Sequence, residues 1–162
     1  MFLEELSHAA DEPTCLFLTG GASQLLRGHR ESTIDIDLTL DPERDGVLRS
    51  MVALKDRLSV NVEIVSPAHF VPPLPGWRER CEFAAQFGKL AVYHFDVYTQ
   101  ALSKLERGHA RDHDDVAALV AAGLVDPARL RAFFLEVEAD LFRYPAIDPA
   151  SLRRAVDLLA RV

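Results

Sequence analysis

Three acidic residues on alternating stretches are the side chains of this sequence best placed to do chemistry together. Asp35 and Asp37 stand in Ile34-Asp35-Ile36-Asp37-Leu38-Thr39-Leu40, whose period of two predicts a strand. Both carboxylates then point to one face, with Cα atoms about 6.5–7 Å apart. Glu63 stands in a second alternating stretch, Leu58 to Val65, in the opposite phase to Val60, Val62 and Ile64, which are expected to face the core. If the two strands are neighbours, a cross-strand Cβ spacing of about 4.5–5.5 Å brings Glu63 beside the aspartates. Three carboxylates so close repel one another unless a cation offsets their charge, and a hard divalent ion such as Mg²⁺ suits carboxylate and phosphate oxygens. Two such ions about 3.5–4 Å apart hold a triphosphate and activate an attacking oxygen for in-line displacement.

Other elements must hold these groups. Upstream, the apolar run Cys15-Leu16-Phe17-Leu18 predicts a buried strand, broken by Gly20-Gly21 and followed by a helical turn over Ala22 to Arg27. Glycine at such a turn lets an anion approach free backbone N–H groups, with Ser23 as a hydroxyl donor to phosphate. A short amphipathic helix over Phe2 to Ala10 precedes this strand, and the polar stretch Gly28 to Thr33 leads to the aspartate strand. Asp41-Pro42 reads as a helix start, Asp as cap and Pro in the first turn, with Val47, Leu48, Met51, Leu54 and Leu58 as the apolar face. The β–β–α–β order predicts a small mixed sheet flanked by helices, an α+β fold. Val71 to Gly76, with three prolines and a glycine, cannot be regular structure, while Glu82 to Gln86 and Leu90 to Phe95 read as a hairpin that extends the sheet.

From Asp96 the pattern turns helical, with segments over 96–107, 112–122, 127–142 and 149–161. Asp126-Pro127 and Asp148-Pro149 are start signals, and Gly108 and Gly123 fall at helix ends. The expected division is therefore a core over residues 1–95 and a C-terminal helical region over 96–162. Phe133, Phe134, Val137 and Leu141 read as core or a partner surface. Trp77 reads as an anchor beneath the proline loop, with base stacking as the alternative.

Composition narrows the class. The chain has 162 residues, 49% hydrophobic and 27% charged, as in ordinary globular proteins. It has neither an apolar run of about 18 residues nor a signal-peptide pattern, so a cytoplasmic protein without membrane association is expected. Cys15 and Cys81 read as buried thiols, since two isolated cysteines make no disulfide framework or zinc cluster. A formal charge of −7 argues against non-specific coating of nucleic acid, though not against a local basic groove. Lys104, Arg107, His109, Arg111 and His113 form such a basic cluster, either a solvated helix junction or a wall for phosphates. Asp115, next to the apolar face of its helix, is expected to be partly buried and paired with Lys104.

Gly20-Gly21, Asp35-x-Asp37 and a later strand acid together resemble the polymerase-β-type nucleotidyltransferase superfamily. More narrowly, the chain is similar to the minimal bacterial branch that holds the AbiEii-type toxins and the DUF6036 group. The further matching pieces are Val62-Glu63-Ile64-Val65-Ser66-Pro67, Leu74-Pro75-Gly76-Trp77-Arg78-Glu79-Arg80, Lys104-Leu105-x-Arg107-Gly108 and Arg111-Asp112-x-x-Asp115. The resemblance implies a nucleotidyltransferase fold and a metal triad of Asp35, Asp37 and Glu63 that binds Mg²⁺ or Mn²⁺. It also implies binding of a nucleoside triphosphate such as ATP at the Gly20-Gly21 turn, Lys104 near the phosphates and Asp115 bracing the site. Many members have Gly-Ser where this chain has Gly20-Gly21. The implied reaction moves a nucleoside monophosphate from the triphosphate to a hydroxyl on an RNA or tRNA end, a protein or a small molecule. A toxin with an antitoxin partner fits this branch; the alternative is an inactive nucleotidyltransferase-fold module that binds or regulates.

Overall fold

The computed structural model describes residues 1–28 and 31–161, so His29 and Arg30 of the polar connection, and Val162, lie outside the described residues. The chain divides into two compact units, Met1–Ser66 with Cys81–Phe95, and Pro67–Arg80 with Asp96–Val162.

The first unit runs α1 (Phe2–Ser7), β1 (Thr14–Thr19), α2 (Gly20–Leu26), β2 (Asp35–Asp41), α3 (Asp45–Leu58), β3 (Asn61–Ile64), β4 (Glu82–Phe87) and β5 (Leu90–His94). The strands form one mixed sheet in the order β3-β2-β1-β5-β4. β1 lies antiparallel to β2 and parallel to β5, β2 is parallel to β3, and β4 and β5 are an antiparallel hairpin. A parallel β2–β3 pair needs a crossover, which α3 supplies. The α+β architecture expected from the strand and helix patterns is the one observed.

One face of this sheet is apolar because alternate residues of each strand are. Leu16 and Leu18 of β1, Ile36, Leu38 and Leu40 of β2, and Leu90 and Val92 of β5 form one buried cluster with Leu6 of α1, Ala22 of α2, and Val47, Met51 and Leu54 of α3. The opposite phase carries Thr19, Asp37 and Glu63 on neighbouring strands. Asp41 is a correction: it is the last residue of β2 and pairs with Cys15, so the ladder claims it, and α3 begins at Asp45 with Arg44 as its cap.

The second unit packs α4 (Val97–Arg107), α5 (Ala110–Ala121), α6 (Pro127–Val137) and α7 (Pro149–Leu159), with 3-10 turns at Pro67–His69 and Glu138–Arg143. Leu102, Leu105, Val116, Leu119, Leu130, Phe134, Val137, Leu152 and Val156 fill its core together with Val71 and Leu74. Asp126 and Asp148 cap α6 and α7 as their Asp-Pro signals predict, accepting from Arg129 N and Ala150 N. The helix expected over 127–142 tightens into a 3-10 turn from Glu138, a common way for a helix to end. Among the described residues, no helix is long and apolar enough to cross a membrane.

The proline-rich segment is tied to α4 by one buried carboxylate. Asp96, fully buried, caps α4 by accepting from Tyr98 N, Thr99 N and Thr99 Oγ1. Arg80 donates to both of its oxygens, Nε at 2.9 Å and Nη2 at 2.8 Å, and its Nη1 donates to Pro75 O at 2.6 Å. The guanidinium carbon also lies 4.2 Å from the Phe133 ring centroid. Removing one partner of such a pair leaves the other charge buried and unpaired. Asp96→Ala is expected to lower stability to urea by about 3–5 kcal/mol, and Arg80→Ala by a similar amount, the double variant costing much less than the sum.

Candidate active site

Because Ile36, Leu38 and Leu40 are buried, the alternate residues of β2 turn away from the core: Asp35 is exposed and Asp37 partly so. In the β2–β3 register Asp35 stands opposite Asn61 and Asp37 opposite Glu63. The strands are neighbours, as the cross-strand argument requires, so Asp35, Asp37 and Glu63 lie on one face at one edge of the sheet. Val62 is partly buried against the core as its phase predicts, but Ile64, at the end of the edge strand, is 44% exposed. Two side chains fix the start of β2. Thr33 Oγ1 donates to Asp35 O and accepts from Asp35 N, and Asn61 Nδ2 donates to Asp35 Oδ1 at 3.3 Å.

Among the described residues, no three His, Cys, Asp or Glu side chains are gathered as they lie into a group able to hold a metal ion. The donor set itself, carboxylate oxygens on one rung and on the next rung of the same sheet face, has the hard chemistry that Mg²⁺ or Mn²⁺ takes.

The glycine turn meets this face directly. Thr19, the last residue of β1, pairs with Asp37, and Gly20 and Gly21 are the first two residues of α2. Gly20 has φ +57°, and a Cβ built on it would lie 2.6 Å from Asp37 Oδ2. Only glycine takes this backbone shape cheaply and leaves room for the carboxylate. Ser23 stands differently from the expected phosphate donor. It is buried, and its Oγ lies 2.9 Å from His94 Nδ1, so its hydroxyl is engaged on the core side of α2.

In the helical unit, Lys104 of α4 meets Asp115 of α5, Nζ to Oδ2 at 2.5 Å, the pairing expected from the sequence. Asp112 is the more buried acid, at 4% exposure. Its Oδ1 accepts from Arg107 Nη2 and lies 3.7 Å from Lys104 Nζ, while Oδ2 has no hydrogen-bond partner among the described residues. Burial alone would raise the Asp112 carboxyl, but the hydrogen bond and charge of Arg107, with the charge of Lys104, hold it below the usual value. The signal for Asp112 was present: it precedes the buried Val116 by four residues and Leu119 by seven, on the same helix stripe. Trp77 is a second correction. It lies outside the buried core, partly exposed with the Arg78 guanidinium 4.8 Å from its ring centroid, because Val71 and Leu74 fill the space beneath the loop.

A family model described as a nucleotidyltransferase of unknown function (DUF6036) matches residues 1–150. No curated relative and no solved structure matches the chain.

Proposed function

The chain belongs to the DUF6036 nucleotidyltransferases, and on that premise we propose that it moves a nucleoside monophosphate from a nucleoside triphosphate to a hydroxyl acceptor in a metal-dependent reaction. The observation that carries this reading is the pair of rungs on β2 and β3, with Asp37 opposite Glu63 and Asp35 two residues away on the same face. In this reading Asp35 and Asp37 hold the divalent ions, and Glu63 completes one site and accepts the proton of the attacking hydroxyl. Mg²⁺ or Mn²⁺, when bound, supplies the positive charge that offsets the phosphates and the leaving pyrophosphate. The Gly20-Gly21 turn, at the start of α2 and beside Asp37, offers backbone N–H groups to the phosphates.

Calorimetry tests the reading. The protein is expected to bind a nucleoside triphosphate in the presence of Mg²⁺ or Mn²⁺ and to lose that binding when EDTA is added. Binding unaffected by EDTA, or absent altogether, would overturn it in favour of an inactive module whose partner is another protein, such as an antitoxin. Incubation of labelled triphosphates with fractionated cell extract then assigns the acceptor among an RNA or tRNA end, a protein side chain and a small molecule.

A further inference from the structure

We propose that His94 is a positioning residue for Asp37: through Ser23 it fixes α2 on the sheet, and α2 sets Gly20 against the Asp37 carboxylate. The proposal rests on the reading of Asp37 as a reacting-centre residue.

The links are all within the first unit. His94 is the last residue of β5, 6% exposed, and Ser23, 3% exposed, is the fourth residue of α2. Their 2.9 Å contact joins residues 71 apart in sequence and is a buried polar tie between this helix and β5. One helical turn beyond Ser23, Arg27 Nη1 meets Glu82 Oε2 at 2.8 Å, and Glu82 is the register partner of His94 across the β4–β5 hairpin. The helix thus has two polar struts on one side. At its start, Gly20 lies so close to Asp37 that a methyl group would not fit between them. The start of α2 therefore stands beside the carboxylate, so the way the helix is seated on the sheet bears on the surroundings of Asp37.

The strut has a preferred protonation state. A neutral ring with its proton on Nε2 accepts the Ser23 hydroxyl proton at Nδ1, whereas an imidazolium has no acceptor and reverses the sense of the bond. The groups facing the ring are Ser23 of α2, Arg27 just after that helix, Glu82 of β4 and the apolar Leu18 of β1, its register partner on the other side. Burial, and then the charge of Arg27, lower the His94 pKa from the ordinary 6.5, while Glu82 works in the opposite direction. Because the folded value lies below the unfolded one, the neutral ring's contribution to stability is complete above pH 6.5 and is lost as pH falls through the folded value.

The test combines NMR with transfer kinetics on the full chain. In the wild type, the Gly20 and Gly21 amide shifts are expected to follow the titration of the His94 ring with the same midpoint. In Ser23→Ala the ring still titrates and the two amides cease to follow it. His94→Phe is expected to lower kcat on the order of tenfold to a hundredfold with little change in the triphosphate KM. His94→Gln, which keeps a side-chain acceptor, restores most of kcat and removes the acid limb of the pH profile. Glycine amides that ignore the His94 midpoint in the wild type, or a folded His94→Phe with wild-type kcat, would overturn the proposal. If the wild type transfers nothing, the proposed reaction fails, and the glycine titration alone still decides whether the strut exists.

Discussion

Asp37→Asn is expected to remove transfer of label from a nucleoside triphosphate by at least about a thousandfold while leaving the fold intact. Asparagine has nearly the size and shape of aspartate, and the side chain at this position turns away from the leucine core, so packing has little reason to change. What changes is charge. The remaining acids on the face, Asp35 and Glu63, occupy different strands and different rungs, and losing the Asp37 carboxylate would take away one of the two residues that would hold the divalent ions in the proposed mechanism. The measurement is label transfer alongside calorimetric titration with Mn²⁺: the variant should lose both, with an unaltered thermal melt. Full transfer by Asp37→Asn would rule out the carboxylate mechanism.

Gly20→Ala is the second large effect, and it reaches the same carboxylate by a different route. The backbone at Gly20 is left-handed, which costs an alanine about 1 kcal/mol. The new methyl group also meets Asp37 Oδ2 at 2.6 Å, inside any real contact distance, so the carboxylate must leave its position. Stability should fall by about 1–2 kcal/mol and kcat by on the order of a hundredfold, since misplacement of a reacting group is costly. Gly88→Ala separates the two causes. Gly88, in the hairpin turn, has φ +53° but no atom within 4 Å of where an alanine methyl group would stand, so it should lose stability alone and keep transfer. Equal losses of transfer in the two variants would show that the Gly20–Asp37 contact does not matter.

Much of this site was legible because its signal is local. The leucines and isoleucine of β2 alternate with the aspartates, and a strand with one buried face has no freedom over which way Asp35 and Asp37 point. Glu63 was legible for the same reason, once a crossover helix was recognised between the two strands. The features that escaped depend on residues far apart in the chain. Nothing around Ser23 announces that its partner is His94 on β5, and without that partner its hydroxyl reads as an anion donor. Asp41 shows a competition: Asp-Pro is a sound cap signal, but the ladder with Cys15 wins at that residue, whereas Asp126 and Asp148 have no strand to compete for them. The segment from Pro67 to Arg80 reads as a loop of the sheet until Arg80 finds Asp96, and Val71 and Leu74 find the helical core.

The position of β3 at the border of the sheet gives the three acids unequal mechanical footing. β2 is held by neighbours on both sides, while β3 is four residues long and, among the described residues, bonded along the sheet to β2 alone. Opening of a border strand costs less free energy than opening of an interior one. Asp35 and Asp37 therefore stand on a strand paired on both sides, beside the glycine turn, whereas Glu63 stands on a border strand that costs less free energy to open.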